Sequence, residues 1–169
     1  TILAAGIAST IFIVTKSLIQ LPFSKYVDSH DEKKKWLITG ISLITLVPFI
    51  YIFARSINTI YLAQLVYGIG AGFAYPTWLG LWSTHLDKKH ESFEWSLYST
   101  FSGIGIAITG IIGAGIAELV GFTYTFVLVG ILSLIGTFIL YYLDSNKNKS
   151  NIKLINYHKK RKLLHHKNH

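Results

Sequence analysis

The chain has 169 residues, of which 51% are hydrophobic and 14% are charged, and its formal net charge is +8. A water-soluble domain carries about 25% charged residues, so a soluble helical bundle is disfavoured. The chain has no cysteine, which excludes disulfides and thiolate metal sites. It also has no nucleophile elbow, HExxH or P-loop motif, and we therefore predict neither an enzyme nor a bound metal or cofactor.

Five apolar segments follow one another, each close to the roughly 20 residues that a helix needs to cross a ~30 Å hydrocarbon layer. Lipid offers no hydrogen-bond partners to the backbone, so spanning segments of this kind are helices. Residues 104–112 have no polar stripe that could face water. We predict an all-α, polytopic transmembrane helix bundle with helices over about residues 2–23, 36–54, 60–83, 95–120 and 124–143.

The first segment carries two polar side chains within its apolar stretch, Lys16 and Gln20. They are four residues apart and therefore share one helical face. Because a charge is costly to bury in lipid, such residues are candidates for function. Lys16 either extends its stem to the membrane interface or faces a cavity, where it would meet an anionic substrate, a carboxylate or a carbonyl.

Charge is concentrated in alternate polar connections between the apolar segments, which we call joints. The first joint contains Asp28 followed by Lys33, Lys34 and Lys35, and lysines recur in the third joint and in the tail. The second joint carries only Arg55. Five crossings place the lysine-rich parts on one side, which the positive-inside rule makes cytoplasmic. We expect a multi-pass protein of the plasma membrane whose C-terminal tail is cytoplasmic.

The third segment combines small residues with aromatic ones. Gly68 and Gly72 form a GxxxG pair, a spacing that lets helices approach closely in lipid. Aromatic side chains with a few hydrogen-bonding groups surround this pair, and this combination is typical of small-molecule sites. We predict that the polar residues of the first and third segments line a substrate cavity: Lys16, Gln20, Gln64, Tyr67 and Tyr75.

The fourth segment repeats small residues at spacings of three and four, which places most of them along one helical face. Gly103, Gly110 and Gly113 are its predicted packing positions, in addition to Gly68 and Gly72 of the third segment. Helix packing alone explains such faces. A second interpretation is that smooth faces let helices slide or rock during transport.

Residues 144–169 form a strongly basic tail that contains four of the chain's seven histidines. We predict a disordered tail held near anionic lipid headgroups, at about 1 kcal/mol per basic residue. Nucleic-acid binding is the other interpretation of such a tail, and we predict no nucleic-acid partner. The irregular spacing of the histidines is only a weak indication of a metal site.

The joint after the first segment resembles a cytoplasmic loop signature of the major facilitator superfamily. In that signature a glycine is followed four residues later by an aspartate, and then by a basic cluster before the next helix. Asp28 stands at the aspartate position and Lys33–Lys35 at the basic cluster. Ser24 replaces the glycine, and the spacing before the lysines is longer.

Two further stretches are similar to glycine-rich helices of the same family. Residues 64–72 resemble its fourth or tenth helix, and residues 110–122 its fifth or eleventh. The fourth helix usually carries an arginine where Gln64 stands, and the antiporter form of the fifth carries a proline where Ile111 stands. Five crossings that end in a cytoplasmic tail fit either helices two to six or helices eight to twelve of the family. These departures, together with a tail that reads as a terminus, favour helices eight to twelve. The resemblance covers residues 1–143 and implies a major facilitator-like bundle.

The beginning of the chain indicates a partial protein. The chain has no methionine, and Thr1 stands directly before an apolar segment with no basic region in front of it. We expect a fragment that lacks the N-terminal half of the same transporter. An N-terminally processed chain is the other interpretation.

The resemblance implies a secondary transporter in which two related halves rock around a central site and expose it to each side in turn. Its substrate would be a small molecule, and export is the implied direction. The charged residues of the first joint would form a conformational latch at the cytoplasmic helix ends: Asp28, Lys33, Lys34 and Lys35.

Two other functions are compatible with five membrane helices. A non-transporting membrane scaffold or assembly protein predicts no cavity, with Lys16 and Gln64 packed between helices or reaching the interface. A membrane-embedded enzyme requires paired ionisable residues at membrane depth, where only Lys16 is a candidate. A transporter instead predicts that the polar residues converge between the first, third and fourth segments.

Overall fold

The computed structural model describes the backbone of residues 1–30 and 32–166 and the side chains of residues 1–30 and 32–145. Within these limits the chain is entirely helical: α1 (Ile2–Asp28), α2 (Lys33–Ile52), α3 (Ile57–Ser83), α4 (Glu91–Val120) and α5 (Phe122–His166). All five of these helices contain stretches long and apolar enough to cross a membrane. The predicted all-α transmembrane bundle is therefore confirmed.

Most helices extend beyond the apolar spans read from the sequence. α1 continues through Pro22 to Asp28, because its last turns pack aromatic side chains against α2. α4 begins at Glu91, and the acidic residues of its first turn are favourable at a helix N-terminus. Hydropathy marks only the part of a helix that lies in lipid, so charged end turns escape it.

α5 continues without a break to His166, into the segment for which a disordered tail is predicted. That segment contains neither glycine nor proline, the residues that most strongly disfavour helix. Residues 167–169 lie outside the described part of the chain. The assignment of residues 144–169 to a cytoplasmic tail remains a prediction.

α3 lies between α1 and α2 and approaches both closely through glycine. A Cβ built on Gly68 would lie 2.7 Å from the Thr15 Cβ, and one on Gly72 would lie 2.8 Å from the Ile19 Cγ2, both on α1. Gly70 faces the other way, where its Cβ would lie 2.8 Å from the Gly40 carbonyl oxygen on α2. α1, α2 and α3 therefore form a tightly packed unit, which we call the three-helix unit.

α5 packs on α2 and joins this unit from one side. The Thr45 and Thr137 hydroxyls lie 2.8 Å apart and form a hydrogen bond between the two helices. Gly130 makes room for the Phe49 ring, since a Cβ there would lie 2.9 Å from the Phe49 Cζ. Small and hydroxylated residues thus bring α5 against α2, as expected for helices in lipid.

α4 is the least covered helix among the described residues, and none of its own residues is buried. It packs against α5 and is joined to it by Gly121 alone, whose φ of 95° is a left-handed conformation that favours glycine. A Cβ added to any of the predicted packing positions would meet no atom within 4 Å: Gly103, Gly110 and Gly113. Their role in packing remains a prediction.

Candidate functional site

Lys16 lies against α3, within the apolar part of the bundle. Its Nζ is 4.3 Å from the centroid of the Tyr75 ring, a cation–π contact, and the residue is partly buried. Tyr75 itself is 44% exposed. The Lys16 backbone faces Gly72, so the side chain leans along α3 toward the C-terminal end of that helix. The ammonium is therefore held on an aromatic face that remains accessible from outside the described helices.

The same junction of α1 and α3 contains two more of the predicted cavity residues. Tyr67 stacks on Phe12 with ring centroids 4.4 Å apart, and Phe12 precedes Lys16 by one helical turn. Gln20 follows Lys16 by one turn and is partly buried. We call this surface the α1–α3 seam, defined by Phe12, Lys16 and Gln20 of α1 with Tyr67 and Tyr75 of α3.

Gln64 does not belong to the α1–α3 seam. Its Nε2 donates a 2.7 Å hydrogen bond to the hydroxyl of Tyr51 on α2, and Tyr51 in turn stacks on Phe126 of α5 at 4.9 Å between centroids. Sequence reasoning missed Tyr51, although a tyrosine near the end of an apolar segment is a visible signal. The predicted cavity residues thus divide between the α1–α3 interface and the α2–α3 interface. None of them lies on α4.

A cavity of about 390 Å³ opens beside the α1–α3 seam. Its volume lies within the range of small-molecule sites. Its lining is mostly apolar, with two threonines: Ile7, Thr10, Ile11, Val14, Thr15 and Leu65. The Thr10 hydroxyl donates to the Gly6 carbonyl oxygen at 2.9 Å and is therefore already satisfied within α1. This cavity favours apolar contact rather than polar recognition.

The residues predicted to form a latch divide among three ion pairs. Lys33 lies 3.9 Å from Asp28 across the joint between α1 and α2, and a Cβ on Gly80 of α3 would lie 3.7 Å from the Lys33 Nζ. Lys34 reaches α5, where its Nζ is 3.6 Å from the Asp144 Oδ1. The joint therefore meets both α3 and α5 at this end of the bundle, which we call the lysine-rich end.

Lys35 forms the third pair, a 2.6 Å hydrogen bond from its Nζ to the Glu32 Oε1. This bond and the charge of Lys35 lower the pKa of Glu32 below its ordinary value. Both side chains belong to the same short stretch and are exposed, so this pair connects no separate helices. Within the described residues, no group of three histidine, aspartate or glutamate side chains could hold a metal ion.

Aromatic side chains are concentrated at the lysine-rich end, where all four tryptophans of the chain lie near helix ends: Trp36, Trp78, Trp82 and Trp95. The Trp78 Nε1 donates a 2.9 Å hydrogen bond to the Tyr98 hydroxyl, which joins α3 to α4. Tryptophan and tyrosine are enriched where a membrane meets water. The lysine-rich end therefore has the composition of a membrane–water interface.

Comparison with known proteins identifies a family and a related protein. The family model described as Major Facilitator Superfamily matches residues 1–165. A staphylopine export protein of Staphylococcus aureus strain Mu50 is 25% identical over 134 residues, which cover 78% of this chain and 34% of that protein. The chain thus spans about a third of the length of the relative that it matches.

Proposed function

Because this chain belongs to the major facilitator superfamily of membrane transporters, we propose that it is part of a secondary transporter that exports a small organic solute by alternating access. The relative named as an export protein supports the direction. The chain matches about a third of that relative, which supports the proposal that a further half completes the translocation path. The family supports transport rather than catalysis.

The observation that carries this proposal is the contact between Lys16 and Tyr75 in the α1–α3 seam. An ammonium at membrane depth is costly, which makes Lys16 a candidate for function. A cation–π contact contributes about 0.5–2 kcal/mol, whereas hydrogen bonds to charged groups contribute about 1.5–3 kcal/mol. An anionic solute would therefore compete with the ring for Lys16. We propose that Lys16 binds an anionic group of the solute, with Gln20, Tyr67 and Tyr75 around it.

The ion pairs of the lysine-rich end support the proposal of a latch that stabilises one conformation of the transporter. Asp28 with Lys33 joins the ends of α1 and α2, and Lys34 with Asp144 joins α2 to α5. Each pair is partly exposed and contributes about 0–1 kcal/mol, enough to bias two states of similar free energy. We place this end on the cytoplasmic side of the plasma membrane, because lysine-rich joints are retained there.

Transport is tested in inside-out membrane vesicles from cells that express the complete gene, with staphylopine as the first solute. We expect uptake above that of vesicles without the protein. Lys16→Ala should lower the initial rate about tenfold or more, since a charge-assisted contact of about 1.5–3 kcal/mol is lost. Lys16→Arg should retain part of the rate because it keeps the charge.

Lys25→Ala is the matched control, since Lys25 is an exposed lysine near the end of the same helix and outside the α1–α3 seam. It should transport at the wild-type rate. Equal rates for Lys16→Ala and Lys25→Ala would contradict the assignment of Lys16. Wild-type vesicles that take up no more solute than empty vesicles would contradict export of this solute class.

A membrane scaffold is the second candidate, and one observation favours it. Gln64 is hydrogen-bonded to Tyr51 between α3 and α2, which is the helix-packed arrangement that a scaffold predicts. For a scaffold, Lys16→Ala would alter the amount of an assembled complex and leave solute flux unchanged. The vesicle assay, combined with the protein's level in the membrane, separates the two functions.

A further inference from the structure

A second cavity, of about 480 Å³, lies between α2, α3 and α5 at the lysine-rich end. It is separate from the α1–α3 seam and shares no residue with it. Its walls are largely apolar and include Ile38, Leu81 and Leu140, one from each of the three helices. Lys34 and Asp144 also line it, so one cavity combines an apolar wall with a charged pair.

The ammonium of Lys34 is only loosely paired. Its Nζ lies 3.6 Å from the Asp144 Oδ1, too far for a good hydrogen bond, and the Lys34 side chain is 45% exposed. An ammonium carries three donors. Among the described side chains, Asp144 is the one acidic partner within 4 Å of Lys34. Lys34 is therefore able to donate to a further acceptor without giving up its contact with α5.

Trp82 supplies a second donor in the same cavity. Its Nε1 is buried and has no hydrogen-bond partner among the described residues, whereas the neighbouring Trp78 donates to Tyr98. A buried N–H without a partner costs about 1–3 kcal/mol. A ligand oxygen placed in the cavity would remove this cost. The indole of Trp82 lines the cavity, and because its Nε1 is buried there, the ring has to turn for the N–H to meet such an oxygen.

We infer that this cavity binds a membrane phospholipid, whose phosphate accepts hydrogen bonds from Lys34 and Trp82 while an acyl chain lies along the apolar wall. Three observations support this occupant. The cavity is at the end of the bundle where tryptophan and lysine mark the membrane interface. A phosphate is complementary to an ammonium and an unpaired N–H that belong to the lining of one cavity. The apolar wall continues from these donors into the membrane-spanning part of three helices.

Asp144 shapes the expected selectivity. Its carboxylate would repel a free anion, so phosphate alone has a weak reason to bind. Apolar burial, at about 25 cal/mol per Å², has to add to the two polar contacts. The site therefore requires both parts of a phospholipid. A molecule with only the phosphate or only the acyl chains should bind poorly.

The test uses native mass spectrometry on the detergent-purified product of the complete gene. Three probes are titrated: dioleoylphosphatidylglycerol, dioleoylglycerol without the phosphate, and glycerol 3-phosphate without the chains. We expect one tightly retained phosphatidylglycerol per protein, and apparent affinities at least about tenfold lower for the two partial molecules. Lys34→Ala and Trp82→Phe should each weaken phospholipid retention about three- to tenfold.

Two matched variants keep this test specific. Lys35→Ala removes the adjacent lysine, which pairs with Glu32 and is 74% exposed, and Trp95→Phe removes a tryptophan at the same end that does not line the cavity. Both should retain phospholipid as the wild type does. Trp82→Phe keeps an aromatic ring in place, so its result does not depend on whether Lys34→Ala folds.

Four results would overturn the inference. Dioleoylglycerol binding as well as the phospholipid would show an apolar groove only, and equal binding of glycerol 3-phosphate would show a phosphate site only. Equal losses for Lys34→Ala and Lys35→Ala would show general surface charge. No retained lipid on the wild type would show that the cavity does not hold a phospholipid. None of these results depends on solute transport.

Discussion

α3 and α4 are both rich in small residues, yet only α3 is closely packed on them. Around Gly68, Gly70 and Gly72, neighbouring helices approach so closely that an added Cβ would come within 3 Å of their atoms. At Gly103 and Gly110 of α4 the same addition would meet nothing within 4 Å. A glycine pattern therefore indicates that a helix is able to approach another closely. It does not identify the partner.

The largest expected effect on stability comes from replacing a glycine of α3 with alanine, in comparison with the same replacement in α4. In Gly70→Ala of α3 the new Cβ would lie 2.8 Å from the Gly40 carbonyl oxygen on α2, a backbone atom that cannot rotate away. We expect a loss of about 1–3 kcal/mol in the free energy of unfolding, the usual cost of overpacking. Unfolding in detergent, followed by tryptophan fluorescence, measures it.

Gly110→Ala is the matched change in α4, and it should leave stability unchanged or slightly higher because alanine is the better helix former. Equal losses in the two variants would show that α4 is covered as tightly as α3 in the folded protein. A loss only in Gly70→Ala would confirm that α3 is closely packed and α4 is not.

A smaller effect is expected where α5 joins the three-helix unit. Thr45→Val and Thr137→Val each remove one hydroxyl of the 2.8 Å hydrogen bond between α2 and α5 while keeping the side-chain shape. Interhelical hydrogen bonds in membranes contribute about 0.6 kcal/mol on average, so a double-mutant cycle should give a coupling of that size. The free energy of unfolding of all four proteins provides the cycle.

Thr109→Val in α4 is the control for this cycle, because its hydroxyl donates to the Gly105 carbonyl oxygen of its own helix at 2.8 Å. Combined with Thr45→Val it should show no coupling. A coupling as large as that of the Thr45 and Thr137 pair would mean that the cycle reports something other than the hydrogen bond.

The smallest effect is expected in acid, at the exposed pair of Glu32 and Lys35. Because Lys35 lowers the pKa of Glu32 in the folded protein, the pair stabilises the fold above the carboxyl's unfolded pKa. This contribution is lost as the pH falls through the lowered pKa. Glu32→Gln should therefore melt slightly below the wild type at neutral pH and equally with it in strong acid, as measured by melting temperature against pH.

A gap between Glu32→Gln and the wild type that widens toward acid would contradict the assigned direction of the pKa shift.

The helices and the family were predictable from the sequence because both depend on local patterns. Apolar runs of about 20 residues report each membrane span separately, without knowledge of its neighbours. The order of charges around Asp28 and Lys33–Lys35 is likewise local, and it supported the family that the comparison shows. Helix ends were less accurate, since charged turns such as that of Glu91 continue the helix outside lipid.

Side-chain partners were harder to predict, because they depend on how distant helices are rotated against each other. Gln64 and Tyr51 are 13 residues apart, and Thr45 and Thr137 are 92 residues apart. Gln64 was grouped with Lys16 as a polar residue of an apolar segment, whereas Gln64 of α3 lies against α2 and Lys16 of α1 lies against α3. The three adjacent lysines resembled one latch, yet each has a different carboxylate partner.

The compact packing of the three-helix unit also bears on how the protein is made. All of its helices precede residue 84, so they leave the ribosome before α4 does. Chains generally assemble from the N-terminus as they are synthesised. The early helices therefore find their glycine contacts within the newly made segment. α4 emerges later, so its contact with α3 through Tyr98 and Trp78 forms after those within the three-helix unit are available, which sets an order of assembly during biogenesis.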